Sequence, residues 1–196
     1  MSHPTTGRIV GALFLAAFFC YGVGSALADR PGGPALMLLN SVVVATIGVL
    51  VFRVFRRPHP GTSATYLITR ALEAVLLAVG VVLLISMGSA EGNSLAYHVA
   101  MLILGVGSVP LCLALLRDQF VPHWLAIWGM VGYAVLAGGA LLELLGLPLG
   151  MLLAIPGGLF EVALGLILMA RGFPESIGTA PASQMSAASD RLGANA

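Results

Sequence analysis

The chain has 196 residues and a formal net charge of +1, with 59% hydrophobic and only 9% charged residues. Soluble domains carry about 25% charged residues, so this composition excludes an ordinary soluble domain and indicates a membrane protein. All cationic side chains are arginine and none is lysine. This excludes an enzyme or a retinal protein that forms a Schiff base, because that bond needs an amine.

Six predominantly apolar segments follow one another along the chain. A helix needs roughly 17–25 such residues to cross a bilayer. No connection between the segments is long enough to fold as a soluble domain, so the sequence predicts an all-α polytopic membrane protein with a bundle of six transmembrane helices. The predicted helices are Ile9–Ala28, Ala35–Phe52, Ala64–Met87, Ser94–Leu116, His123–Leu145 and Leu147–Phe173.

The two ends of the chain are predicted to lie outside the six-helix domain, which covers residues 8–173. Residues 1–7 are expected to form a short N-terminal tail. Residues 174–196 are rich in Ser, Ala and Gly, which is typical of a disordered tail. The first apolar run imitates a signal peptide, but it is longer than the about 7–15 residues of that segment, so the first helix is expected to stay uncleaved.

The arginines are divided unequally between the two ends of the predicted helices. Arg30 falls on one side and the other eight fall on the opposite side: Arg8, Arg53, Arg56, Arg57, Arg70, Arg117, Arg171 and Arg191. Arginine and lysine accumulate in cytoplasmic loops. Both termini are therefore predicted to be cytoplasmic.

Glu161 lies near the middle of the sixth predicted helix, about ten residues or ~15 Å from the end of that helix at 1.5 Å per residue. A carboxylate at bilayer depth costs about 2.5–3.5 kcal/mol on insertion scales, so it normally has a partner or a water-filled cavity. Arg70 and Glu73 are three residues apart on the third helix and can pair. We predict that the three side chains form a polar centre in the inner half of the bundle. It is either a structural salt bridge or a site for a proton, a cation or a polar ligand.

The segment Pro156-Gly157-Gly158 precedes Glu161 and weakens the sixth helix, because proline lacks an N–H and glycine favours other conformations. The simpler interpretation is a hinge or a packing kink. The alternative is a local break whose free carbonyls build an ion site beside the carboxylate, as in several transporter folds.

A second, weaker candidate lies near the outer face. His98 and Glu143 have similar predicted depth and are candidates for a hydrogen-bonded pair, the alternative being a solvated interfacial histidine. His98 has no histidine companion at this face, which argues against a haem or zinc site. The sequence contains no nucleophile–base motif or P-loop, and Cys20 and Cys112 lack metal or redox spacing. We expect no catalytic residue, no cofactor, no metal and no nucleic-acid partner.

Several motifs resemble one family of membrane proteins. They are Arg8-x-x-Gly11, Arg70-x-x-Glu73, Val121-Pro122-His123-Trp124-Leu125-Ala126 followed by Gly129-x-x-Gly132-Tyr133, and Pro156-Gly157-Gly158-Leu159-Phe160-Glu161 with Arg171-Gly172-Phe173. Over roughly residues 8–173 the chain resembles the bacterial family called domain of unknown function 4386. The resemblance implies a multi-pass protein of the bacterial cytoplasmic membrane and brings no established activity.

Two functional hypotheses follow from these residues, and a membrane-embedded enzyme ranks third, because no nucleophile–base pair or metal set is visible in the sequence. In the first, a non-enzymatic membrane protein binds or conducts an ion or a small or lipid-like ligand at Glu161, Glu73 and Arg70. In the second, the chain is an accessory or scaffold subunit that packs against another membrane protein, and its carboxylates are structural. Both place the protein in contact with the lipid bilayer.

Overall fold

The computed structural model describes residues 2–30 and 32–174, and within them the chain folds into six α-helices. Each helix is long enough and apolar enough to span a membrane, which confirms the predicted all-α bundle. The helices are α1 (His3–Ala26), α2 (Gly32–Phe55), α3 (Pro60–Met87), α4 (Ala90–Arg117), α5 (His123–Leu144) and α6 (Gly150–Arg171).

The helices form a closed ring. Each helix packs against its neighbours in the sequence, and α6 packs against α1. Short connections make consecutive helices antiparallel, so the starts of α1, α3 and α5 lie at the same end of the bundle as the ends of α2, α4 and α6. We call this end, and the half of the bundle next to it, arginine-rich, because it carries the exposed side chains of Arg8, Arg53, Arg56, Arg57, Arg117 and Arg171.

Several helices begin earlier than the sequence predicted. α1 starts at His3 instead of Ile9, so most of the predicted tail 1–7 is helical, and α3 starts at Pro60 instead of Ala64. Both helices have a proline in the first turn. Proline suits this position, because the missing N–H would have no helical partner there and the fixed φ is already helical. The predicted disordered tail beyond residue 174 lies outside the described residues.

The arginine-rich half is closely packed. The ring of Phe55 meets those of Phe120 and Phe173 edge to face, with centroids 5.6 and 5.5 Å apart. Between α1 and α6, a Cβ at position 11 would collide with the Gly165 carbonyl oxygen and lie 2.6 Å from the Met169 nitrogen. Glycine therefore lets the first and last helices approach closely here, as small residues do in membrane bundles.

The opposite half of the bundle is hollow. It encloses a cavity of about 290 Å³ that is lined by side chains from all six helices. Its volume is near the lower limit of about 300–1,000 Å³ for ligand pockets. The cavity lies on the side of the bundle where α1, α3 and α5 end.

Candidate functional site

Arg70 lies between the packed half and the hollow half. It is ten residues into α3, or ~15 Å from Pro60 at 1.5 Å per residue, which is deeper than the predicted helix start implied. Its side chain is only 1% exposed. The side chain passes α2 at Gly48, where a Cβ would lie 2.8 Å from the Arg70 Cβ. A larger residue at position 48 would have to push α2 and α3 apart.

The guanidinium of Arg70 is held by three oxygen atoms. Nε donates to the Tyr66 hydroxyl at 2.8 Å, Nη1 to Glu73 Oε2 at 2.9 Å and Nη2 to Glu161 Oε1 at 2.6 Å. Its Cζ also lies 5.3 Å from the ring centroid of Phe14 and 5.2 Å from that of Tyr66. Such cation–aromatic contacts strengthen when water is excluded. A buried Arg70–Glu73 pair is therefore present, with Glu161 bonded to the same cation.

Glu161 is the most accessible member of this cluster. Its side chain is 20% exposed, compared with 4% for Glu73, and it lines the cavity. Its Oε1 accepts hydrogen bonds from Arg70 and, at 2.8 Å, from the Tyr133 hydroxyl of α5. The ring of Tyr133 is oriented by Phe160, with centroids 5.5 Å apart. Side chains of α3 and α5 thus hold one carboxylate oxygen of Glu161 on α6. The other oxygen, Glu161 Oε2, takes part in none of the hydrogen bonds among the described residues.

The cluster does not balance its charge. One guanidinium, which stays protonated in proteins, faces two carboxyl groups, so the formal charge is −1 if both are ionised. Burying an unbalanced charge is costly in a membrane interior. A proton on one carboxyl, a bound cation or a cationic group of a ligand would remove the imbalance. Glu161 is the position at which such a group could arrive, since it faces the cavity.

The cavity walls are mainly apolar. Towards the far end, the rings of Tyr21 and Tyr97 stack across the bundle with centroids 5.1 Å apart, joining α1 to α4. Asn40 of α2 also lines the cavity; it is 3% exposed, and its buried Oδ1 has no partner among the described residues. Buried polar atoms are normally hydrogen-bonded, so this oxygen is an unpaired acceptor beside the cavity.

Comparison with protein families adds an identification for the second half of the chain. Residues 85–172 match the model of the family described as domain of unknown function (DUF4386). These residues form a DUF4386 domain. The resemblance is confirmed here, and over residues 8–84 it stays a prediction. Comparisons with curated proteins and with solved structures return no match.

The DUF4386 domain contains α4, α5 and α6, and with them Tyr133 and Glu161. Arg70 and Glu73 lie before the matched residues. The family description names no activity, so a function has to be argued from the site itself.

Within the DUF4386 domain, the Pro156-Gly157-Gly158 segment is part of an uninterrupted helix, because α6 is helical from Gly150 to Arg171. α6 therefore has no local break at this segment that could build an ion site beside Glu161. Gly157 packs against α5 instead: a Cβ there would lie 3.2 Å from the carbonyl oxygen of Gly132. The contact supports the packing interpretation, and movement at this hinge stays a prediction.

A Cβ at Gly150 would lie 2.8 Å from Glu143 Oε2 and 3.2 Å from His98 Nε2, so both side chains reach the start of α6, but no hydrogen bond or salt bridge joins them among the described residues. Glu143 Oε2 accepts a 2.7 Å bond from the Gly150 backbone nitrogen, and His98 Nδ1 lies 3.4 Å from Ser94 Oγ. The predicted direct pair is therefore not formed. The reason is that the first N–H groups of a helix have no helical partner, and Gly150 offers one to the carboxylate.

Sequence reasoning missed four residues of the site: Tyr66, Tyr133, Asn40 and Gly48. A signal existed for two of them. Tyr66 precedes Arg70 by four residues and so shares its helix face. Asn40 is a lone amide in an apolar span, where polar side chains usually face the bundle interior. Tyr133 and Gly48 had no such local signal, because their roles depend on how α5 and α2 are rotated.

Proposed function

We propose that the protein binds or conducts an ion or a small or lipid-like ligand, without catalysing a reaction, and that Glu161, Glu73 and Arg70 hold the polar part of that ligand. The observation that carries the proposal is a carboxylate with a free oxygen at the wall of a 290 Å³ cavity. Arg70 and Tyr133 keep Glu161 in place, so binding would cost little reorganisation of the site.

The proposal includes a location and an orientation. We place the six-helix domain, residues 8–173, in a bacterial cytoplasmic membrane with both termini in the cytoplasm. Arg8, Arg53 and Arg171 are among the exposed arginines at one end of the bundle, and Arg30 lies at the other. This distribution is typical of a cytoplasmic face. Arg70, predicted from the sequence to lie at that face, is buried and gives no information on orientation.

The test is a comparison of Glu161→Gln with Glu91→Gln in the full chain, purified in lipid nanodiscs. Glu91 is exposed in the first turn of α4, so it is a matched control. Small molecules and lipids that copurify are identified by mass spectrometry, and ethylammonium is titrated as a probe of the carboxylate site. We expect the wild type and Glu91→Gln to retain binding that Glu161→Gln loses at least tenfold. Equal binding by all three proteins in both measurements would contradict the proposal.

The scaffold hypothesis also has an observation in its favour. Arg70 joins α3 to α6, because its buried guanidinium donates to Glu73 on its own helix and to Glu161 on α6. A structural role predicts that Glu161→Gln lowers the thermal stability without changing binding. It also predicts that Arg70→Ala and Glu161→Gln are less than additive, since both remove one interaction. A stoichiometric membrane-protein partner on gentle purification would favour this alternative.

A further inference from the structure

The cavity opens sideways, between the first and last helices. The residues that line the cavity and are also exposed at the surface all belong to α1 or α6: Phe18, Gly22, Met151, Ile155 and Leu159. Lining residues from α2, α3, α4 and α5 are buried or half-buried. Phe18 lies eight residues before the end of α1 and Leu159 nine residues after the start of α6, or about 12–14 Å from these helix ends at 1.5 Å per residue. Exposed side chains at this depth of a transmembrane bundle face lipid, so this part of the opening leads into the bilayer.

The same seam is closed in the other half of the molecule. There, Gly11 and Gly165 bring the backbones of α1 and α6 together. In the hollow half, a Cβ at Gly22 would meet no atom within 4 Å, whereas one at Gly158 would lie 3.4 Å from the ring of Phe18. The opening therefore has a free side at Gly22 and an apolar edge at Phe18.

The stack of Tyr21 on Tyr97 closes part of the cavity towards the far end of the bundle. Both rings line the cavity, and Tyr21 lies nearer to the end of α1 than Phe18 does. A molecule dissolved in the bilayer could thus reach Glu161 between α1 and α6 without passing this aromatic contact. Because the cavity is near the lower limit for ligand pockets, a long apolar tail would remain partly in the opening.

Three oxygen acceptors around the cavity lack a hydrogen-bond partner within the described part of the chain. Glu161 Oε2 and Glu73 Oε1 take part in none of the hydrogen bonds among the described residues, and Asn40 Oδ1 is buried without a partner. The cluster of two carboxyl groups and one guanidinium also carries one formal negative charge when both carboxyl groups are ionised. A primary ammonium group matches this arrangement, because it has one positive charge, three donors and no acceptor.

We infer that the ligand is a membrane-dissolved amphiphile with a protonated amine head and a single apolar tail, which enters from the bilayer between α1 and α6. The head is held at Glu161 and the tail lies against Phe18 and Ile155. This inference rests on the proposed function and adds to it the chemical class of the ligand and the route by which it arrives.

The first test measures binding of dodecylamine to the full chain in phosphatidylcholine nanodiscs, with dodecanol and dodecanoate as probes of the same length. We expect saturable binding of dodecylamine at least tenfold tighter than that of dodecanol, and no saturable binding of dodecanoate. Glu161→Gln should reduce the preference for the amine over the alcohol at least tenfold, whereas Glu91→Gln should leave it unchanged. Equal binding of the amine and the alcohol by the wild type would overturn the inference.

The second test concerns the route. Gly22→Leu places a side chain in the free side of the opening, and Gly138→Leu is the matched control, since Gly138 is exposed on α5, away from the cavity lining, and also has no atom within 4 Å of an added Cβ. Gly22→Leu should weaken dodecylamine binding at least tenfold, and Gly138→Leu should not. In the wild type, a dodecylamine with a diazirine in its tail should label α1 and α6 at the opening and be displaced by unlabelled dodecylamine. Labelling confined to other helices would contradict the route.

The outcomes of these tests distinguish a failure of the inference from a failure of the proposed function. One outcome would reject the inference alone: ethylammonium binding still depends on Glu161, dodecylamine binds no more tightly than ethylammonium, and Gly22→Leu has no effect. The amphiphilic amine and its route would then be wrong, while the proposed site at Glu161 would stand. If Glu161→Gln changes the binding of none of these probes, the proposed function fails as well.

Discussion

The two halves of this bundle are built from the same six helices but differ in how closely those helices pack. In the arginine-rich half, glycines on α1 and α6 allow backbone contact, and Phe55, Phe120 and Phe173 fill the centre. In the opposite half, the same six helices leave a 290 Å³ cavity with Glu161 in its wall. Lipid provides no hydrophobic driving force for helix association, so close packing in one half has to hold the ring together while the other half stays open.

The largest effect is expected from changes that disturb the packed seam. Gly11→Leu would force a side chain into the backbone of α6 at Gly165, and neither backbone can move without opening the ring. We expect little folded protein, measured as the monodisperse fraction after detergent extraction. Gly22→Leu, on the same helix but in the hollow half, should fold like the wild type. Equal yields of the two variants would show that the two halves do not differ in this way.

Next in size is the loss of Arg70 at the boundary between the halves. Arg70→Met keeps most of the aliphatic stem but leaves Glu73 and Glu161 without their cation, and breaking a buried pair on one side typically costs about 3–5 kcal/mol. The free energy of unfolding in mixed detergent should fall by that order. Arg53→Met, at an exposed arginine, should change it by less than about 0.5 kcal/mol.

A triple variant, Arg70→Met with Glu73→Gln and Glu161→Gln, checks the cause of that loss. It removes the charges together, so it should recover part of the stability lost by Arg70→Met alone. No recovery would mean that Arg70 acts through packing against Phe14 and Tyr66, not through its charge.

A matched pair of truncations on α4 compares the packing of the halves directly. Leu115 is 2% exposed in the arginine-rich half, and Leu104 is 3% exposed at the cavity. Leu→Ala changes cost about 2–5 kcal/mol in soluble cores, and the cost rises with the void that remains. Leu104 borders the 290 Å³ cavity, whereas Leu115 borders a void of only about 10 Å³, so Leu115→Ala should destabilise the bundle by roughly 1 kcal/mol more. Equal losses in chemical unfolding would contradict an asymmetric core.

Features of the fold and of the site could be predicted where the sequence signal for them was local. The six spans follow from composition and length, and the Arg70–Glu73 pair follows from a spacing of three residues on a helix. Glu161 was correctly expected to need a partner, because a charge in the bilayer is costly alone. Arg70 was predicted to share this polar centre, although the boundary error at Pro60 placed it about one turn too shallow.

The cavity itself was beyond sequence reasoning. Its existence depends on the volumes of side chains from all six helices and on the rotation of each helix about its axis. Helices as uniformly apolar as α2 and α5 give little indication of which face is turned inward. That is why Tyr133 and Gly48 were missed, while the lone polar residue Asn40 could have been found from its chemistry.

The smallest effect is expected at the far end of the hollow half, where Glu143 accepts a bond from the Gly150 nitrogen and so caps α6. Removing a cap of this kind costs about 1 kcal/mol. Glu143→Ala should therefore lower the free energy of unfolding by that amount, whereas Glu143→Gln, which keeps an acceptor oxygen, should lose about 0.3–1 kcal/mol for the missing charge at the helix start. Both variants should bind like the wild type, because Glu143 is not part of the cavity lining. A loss of binding in Glu143→Gln would show that the start of α6 also controls the opening, and the hollow half would then have two functional ends instead of one.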